Sequence, residues 1–360
     1  MANQMQGVVP YPFDAQSSPF FCALASALIP ALGLTDETPF FCVQKNTRCL
    51  NCGNCGSKTT LQKHHLQLYH NYQTFTGVGL GWDQPENDSK YQVVPGWEKG
   101  WSYPDAFLGF IFGFAGLSWK RVTKGAGERK AAAAIAVSVD AGLPVLLRFG
   151  QNWRVATGYD GAEIIGLGYG ATEAAAIPNW FGGFDDAVII TGRARQSVSY
   201  ADVLYRMIES LAHPAHARLE ADLMKRLDEV AEGNVQATAE WLLEKVGFPI
   251  EARWHAADSE IYVLCESEAA KEKIFGMIRQ YVFDSDHDAT HGTCWKIWAK
   301  LGVGPKTNYR LPPNAAELLL KPETRSELKR LFTIVFENDR VVLGLLRGAA
   351  EIINNTDAAD

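Results

Sequence analysis

The sequence predicts an α+β protein, with an N-terminal domain in which an antiparallel sheet packs on helices and an all-helical C-terminal domain. Three observations predict it. Residues 145–149, 153–157 and 163–167 read as consecutive strands, the last two joined across an Asp160-Gly161 turn signal, and such a series belongs to an antiparallel sheet. From about residue 200 the pattern turns helical, with segments at 201–211, 217–231, 235–246, 268–283, 293–301 and 323–353. The 360 residues are 47% apolar and 21% charged, which suits a folded chain long enough for two self-supporting cores. The domains are placed at 1–197 and 198–360, with a cysteine-rich insertion at 40–60.

In chain order, residues 8–19 carry Pro10, Pro12 and Pro19 and read as an extended lead-in. Apolar and small residues from 20 to 32 predict a helix that Pro30 ends or kinks. Cys22 then lies in its first turn. Residues 40–60 are polar and read as a loop or knuckle, and a helix follows at 61–74. The stretch 77–103, rich in Gly, Trp, Asp and Pro, reads as a long functional loop. Its Trp82, Trp97, Trp101 and Tyr103, beside Asp83 and Glu98, either plug the core or wall a pocket for an organic ligand. Residues 103–116 suit a buried helix begun by Pro104 and Asp105, and 130–141 an Ala-rich helix leading into the sheet. One more strand is read at 187–191. The strands are more apolar than a half-wet sheet requires, so helices should cover at least one face.

The formal charge of −7, with no cluster of Lys and Arg, argues against a nonspecific polyanion binder, because such affinity rests on cations neutralising phosphates. The first residues lack the basic start and apolar core of a signal peptide, and no run approaches a membrane span. The expected compartment is the cytoplasm, with no membrane or nucleic-acid partner. Four of the seven cysteines fall between Cys42 and Cys55, and in a reducing cytosol such bunching points to metal or redox chemistry before disulfides.

The first candidate site is Cys22 with Gln16. A thiol opening a helix sits where backbone N–H groups and the dipole favour thiolate, and a donor just upstream can hold an oxyanion. Gln16 lies six residues before Cys22. Residues 138–161, with the GLPV turn at 142–145 and NWRVATGYD at 152–160, resemble the bacteriocin-processing cysteine peptidases and the N-terminal domain of the butirosin-biosynthesis acyltransferase family. With Gln16 and Cys22, the likeness spans about the first half of the chain. It implies a papain-like fold using Cys, His and often Asp for amide hydrolysis or acyl transfer. Where that pattern places histidine this chain has Asn152, and the acid expected near Gly168 is missing. An amide accepts no proton at neutral pH, so Asn152 is not a general base. Either His64, His65 or His70 supplies the base, or the fold is kept without the chemistry and Cys22 is a small buried core residue.

The second candidate is the knuckle Cys42, Cys49, Cys52 and Cys55, with Gly53 and Gly56 between and His64, His65 and His70 beyond. Two-residue spacing lets thiolates converge on one ion. Zinc with four cysteines, or with three and a histidine, is placed ahead of an iron–sulfur cluster, because the following C-x3-C-P is absent. Reduced or disulfide-paired thiols are the bland alternative. A zinc with four protein ligands would brace the loop that follows.

A third cluster, His287, His291 and Cys294 with Asp286 and Asp288, has helical spacing, but Gly292 weakens the helix. Capping by Asp288 or Thr290 is the preferred reading there. Two functions are carried forward. In one, Cys22 attacks a carbonyl in acyl transfer or amide hydrolysis on a small metabolite or peptide. In the other, a non-catalytic papain-like fold binds such a ligand, with the knuckle as its metal brace.

Overall fold

The computed structural model describes residues 3–5, 8–10, 18–42, 47–49, 58–81, 103–150, 152–168, 170–283 and 289–357. The architecture is α+β. The chain divides into two compact units, residues 1–72 with 89–199 and residues 73–88 with 200–360.

The first unit is organised on a seven-stranded antiparallel sheet. Its strands are β1 (Asn3–Gln4), β4 (Leu117–Thr123), β5 (Val145–Phe149), β6 (Asn152–Asp160), β7 (Glu163–Leu167), β8 (Ala175–Ala176) and β9 (Asp186–Arg193). The order is β4-β9-β5-β6-β7-β8, with β1 alongside the far end of β6. β2 (Phe40–Cys42) and β3 (Thr47–Cys49) form a separate hairpin. Strand β6 runs through the GYD sequence, so the turn falls at Gly161-Ala162 rather than Asp160-Gly161. Gly161 supplies its left-handed residue, φ +59°. Between β6 and β7 the register shifts near Ala156/Gly158. A Cβ on Gly166 would lie 2.7 Å from the Val155 carbonyl oxygen, so the strands approach this closely only because residue 166 has no side chain.

Both faces of the sheet are buried, as the excess of apolar residues requires. Val145, Leu147, Ala156, Ala187 and Ile189 share a core with Ala131, Ile135 and Val139 of α4 (Glu128–Asp140). Side chains alternate along a strand, so Leu146, Trp153, Val155 and Val188, all buried, belong to the opposite face. There α1 (Pro19–Ala31) packs across β5 and β6. Three layers result, helix, sheet and helix.

Helix α1 forms because Ser18 caps it, Pro19 occupies its first position, and almost every residue to Ile29 is apolar or small. A helix apolar all round belongs inside, and residues 20–29 are all buried. Pro30 is accommodated in the last turn. Two residues past the helix end Gly33, φ +66°, lets the Leu34 N–H reach back to the Ile29 carbonyl and close the helix. Helix α2 (Thr60–Phe75) is the opposite case. His64, His65, Gln67, His70 and Asn71 are buried although polar. Helix α3 (Asp105–Ala115) starts at Pro104 and ends at left-handed Gly116.

The second unit is helical: α6 (Tyr200–Leu211), α7 (Ala215–Asp228), α8 (Val235–Trp241), α9 (Phe248–Glu251), α10 (Trp254–Asp258), α11 (Glu268–Ile278), α12 (Thr290–Lys300), α13 (Ala315–Leu320) and α14 (Pro322–Asp357), with α5 (Trp180–Gly183) the short helix of the first unit. The segments read as single helices at 235–246 and 268–283 instead pass into π-helical turns at Leu242–Gly247 and Arg279–Phe283. Leu223, Leu227, Ile297, Leu301, Leu328 and Phe332 centre its core. Residues 76–81 are held within this unit by their carbonyls. Arg206 Nε donates to Thr76, Ser210 Oγ to Gly77, and Arg253 to Leu80 and Gly81. Arg253 is also paired with buried Asp339 at 2.8 Å, and Tyr281 of the second π-helical turn donates to the same carboxylate at 3.0 Å. Among the described residues, no helix is long and apolar enough to cross a membrane.

Candidate functional site

The first turn of α1 lies against the start of β6, the Phe20 and Trp153 rings meeting edge-on at 5.0 Å. Cys22 stands in that turn with its N–H on the Ser18 carbonyl at 3.1 Å. Its side chain is fully buried, and burial pushes the thiol well above its usual range. Helix position favours thiolate here, and desolvation opposes it; the direction of the shift says that desolvation wins.

His65 comes to the same helix. Its Nε2 lies 3.0 Å from the Cys22 carbonyl oxygen, so Nε2 carries the proton and donates. The ring is buried and held neutral, its pKa lowered to about 4 by desolvation against the raising effect of that hydrogen bond. His70 is lowered further, to about 3, by burial and by neighbouring His65. His64 bonds the Thr38 carbonyl at 2.8 Å. These imidazoles are therefore engaged with the backbone or suppressed as bases.

Asn152 opens β6, paired with Phe149, and is exposed. Gly168, where an acid was sought, sits beside the Arg154 side chain; a Cβ there would lie 3.8 Å from its Nε. Gln16 lies outside the described residues. So do Trp82, Trp97, Trp101, Asp83 and Glu98. Of the long-loop aromatics Tyr103 is described, and it fills the core: its ring lies 4.0 Å from Phe20 and is stacked on Phe107 at 4.7 Å. Its hydroxyl bonds the Ser18 side chain, and burial, with Tyr69 nearby, keeps it protonated.

A chain of charges fixes this end of the sheet. Arg148 Nε donates to buried Asp186 at 2.8 Å, and Arg148 Nη1 faces Asp185 at 3.3 Å. On the other side of Asp186, Arg121 Nη1 lies 3.6 Å away, while Arg121 Nε pairs with Asp105 at 2.8 Å. Arg121 Nη2 donates to the Tyr103 carbonyl. Arg121 thus holds the residue whose ring and hydroxyl cover the start of α1. Sequence reading missed Arg121 and Asp186, because no local motif pairs residues 65 positions apart.

Of the knuckle, Cys42 pairs in register with Thr47 and Cys49 with Phe40, so the hairpin brings the two cysteines' backbones to neighbouring strands. Cys52 and Cys55 lie outside the described residues. Among the described residues no group of three or more metal-ligating side chains occurs.

The third cluster is not assembled as spaced. Helix α12 starts at Thr290, with Ala289 at the cap position and no side-chain cap there, so Thr290 is the first helical residue rather than the cap, and the reading of Asp288 as a cap lies outside the described residues. Cys294 turns its thiol to the Gly247 carbonyl at 3.7 Å, while His291 Nε2 accepts from Trp295 at 2.9 Å. His287, Asp286 and Asp288 lie outside the described residues.

The first unit is therefore an α+β domain whose buried leading helix presents its N-terminus to the start of a central strand. No family model, curated protein or solved structure matches the chain.

Proposed function

We propose that the first unit is a papain-like fold that binds a small molecule or peptide and does not use Cys22 as a nucleophile. The observation that carries this reading is the state of the thiol: fully buried, pushed upward by desolvation, with Asn152 at the strand position where the resembled families have histidine. His65 of α2, the imidazole that meets the Cys22 backbone, spends its proton on that main-chain carbonyl. In this reading Cys42, Cys49, Cys52 and Cys55 hold a zinc ion that braces the insertion, their spacing being the support for it.

A thiol enzyme is the second reading, favoured by the approach of the first turn of α1 to the start of β6. Iodoacetamide separates the two. The binding fold requires Cys22 of the native full chain to resist alkylation at neutral pH until denaturant is added. Alkylation of Cys22 faster than a free thiol would establish the enzyme and remove the proposal.

A further inference from the structure

The helical unit carries a surface that the reading of the first unit leaves unused. The formal charge of the chain is −7, yet residues 289–316 hold Lys296, Lys300, Lys306 and Arg310 and no Asp or Glu. All four cations are exposed, and among the described residues no carboxylate pairs with Lys300, Lys306 or Arg310. Averaged over the chain the charge opposes a polyanionic partner; over this segment it favours one.

Two aromatic rings lie among these cations. Helix α12 buries Thr293, Cys294, Ile297 and Trp298 and turns Trp295, Lys296, Ala299 and Lys300 outward. Trp295 is 36% exposed and Tyr309 40%, and their rings meet at 5.6 Å. Among the described residues, no other two of the exposed large apolar side chains are in ring contact with each other. A lone exposed ring is ordinary, and an adjoining pair marks a contact surface. Buried Trp298 backs both, 5.2 Å from Trp295 and 6.0 Å from Tyr309. The Trp295 indole N–H is already given to His291 Nε2 at 2.9 Å, so this ring offers a π surface and no polar handle.

Tyr309 is set against Trp295 by strained backbone. Asn308 and Tyr309 have φ +49° and +58°, consecutive left-handed residues that a Cβ disfavours. The turn is closed by the Thr307 and Tyr309 N–H groups on the Gly304 carbonyl, at 3.0 Å and 3.1 Å. Strain held in this way concentrates at functional sites. Helix α12 also packs against both π-helical turns, at Leu242–Gly247 and Arg279–Phe283, and such turns recur at functional sites too.

We propose that the exposed face of α12 and the turn at 304–310 bind single-stranded nucleic acid, bases stacking on Trp295 and Tyr309 and phosphates meeting Lys300, Lys306 and Arg310. Single strands are held by this combination of rings and cations. A bare polyanion would leave the rings unused, and a neutral stacking ligand would leave the cations unused. A membrane surface calls for apolar side chains that protrude, and here both rings are more than half covered.

The full chain is titrated into a fluorescein-labelled single-stranded oligothymidylate of about 12 nucleotides, with anisotropy read at several salt concentrations. The expected result is saturable binding that weakens with salt. Trp295→Ala should lower the affinity about tenfold with the salt slope kept. The double variant Lys300→Gln with Arg310→Gln should instead flatten the slope by about 0.7 for each cation that meets a phosphate. Tyr309→Phe should bind as the parent does and Tyr309→Ala more weakly, a pair that serves if Trp295→Ala does not fold. Absence of binding at low salt overturns the proposal. So does binding that survives the ring and cation variants alike, or polyphosphate or duplex DNA bound as tightly as the single strand. Phosphatidylserine vesicles bound in preference to the oligonucleotide would likewise replace it with a membrane surface.

Discussion

His65 Nε2 donates to the carbonyl oxygen of Cys22 across 3.0 Å, tying α2 to α1 through the backbone of the residue whose thiol was the candidate nucleophile. The contact fixes the tautomer and makes neutral His65 the form that the fold is built around. Acid is then the condition that tests it.

For His65 and His70 the folded pKa values, about 4 and about 3, lie below the unfolded value of about 6.5. Between those limits the unfolded chain binds protons that the folded chain does not, so stability falls as pH drops below about 6.5 and is fully present above it. Each histidine contributes a slope of about 1.4 kcal/mol per pH unit in that window. Urea unfolding between about pH 7 and about pH 5 should show the loss, and His65→Gln should shallow the slope by one proton. An unchanged slope would show that His65 titrates normally.

Cys22→Ala and Cys22→Ser should separate packing from chemistry. Alanine leaves a small void in the buried first turn of α1 and costs about 1 kcal/mol, whereas serine buries a hydroxyl and costs about 1–3 kcal/mol. Urea midpoints measure the two costs, and a serine variant no less stable than the alanine variant would show that position 22 reaches solvent.

In the helical unit, Arg253→Met strands the Asp339 carboxylate, which is only 3% exposed. Removing one member of a buried pair costs about 3–5 kcal/mol, and replacing both with apolar residues recovers much of it. The denaturant midpoint of Arg253→Met should therefore fall, and that of the double variant with Asp339→Leu should return much of the way to wild type. Equal losses would mean that Arg253 acts through its carbonyl contacts at Leu80, Gly81 and Pro249 instead.

Gly166→Ala should be among the most damaging single-methyl changes in the sheet. The added Cβ meets a main-chain oxygen on β6 at 2.7 Å, and a strand carbonyl cannot step aside as a flexible side chain can. The expected outcome is loss of amide protection in β7 by hydrogen exchange, with β4 and β9 retained. Full protection in β7 would show that the pair absorbs the methyl.

The knuckle predicts one zinc per chain by elemental analysis of protein purified without chelator. Cys52→Ser should lower that content and cost stability. Iron in place of zinc, or metal-free protein of unchanged stability, would remove the brace.

Local signals made the elements legible. Short apolar and β-rich runs with turn residues marked β5, β6, β7 and β9, and the apolar run from residue 20 marked α1, although Pro19, read as lead-in, opens that helix behind its Ser18 cap. Strand β4, whose polar Lys120 and Arg121 interrupt the pattern, was not read as a strand, because its pairing with β9 depends on residues about 70 positions away. The π-helical turns after α8 and α11 were likewise invisible, since helical spacing does not distinguish a five-residue closure from a four-residue one.

The sequence by itself determined the α+β class, the apolar identity of α1 and the absence of histidine at position 152, because these follow from residue type and near-neighbour spacing. Only the tertiary structure decided that Cys22 is sealed, that His65 faces a carbonyl, and that Tyr103 plugs the core under Arg121. Each of those outcomes is set by solvent exclusion and by partners far along the chain, and neither quantity is written in any local run of residues.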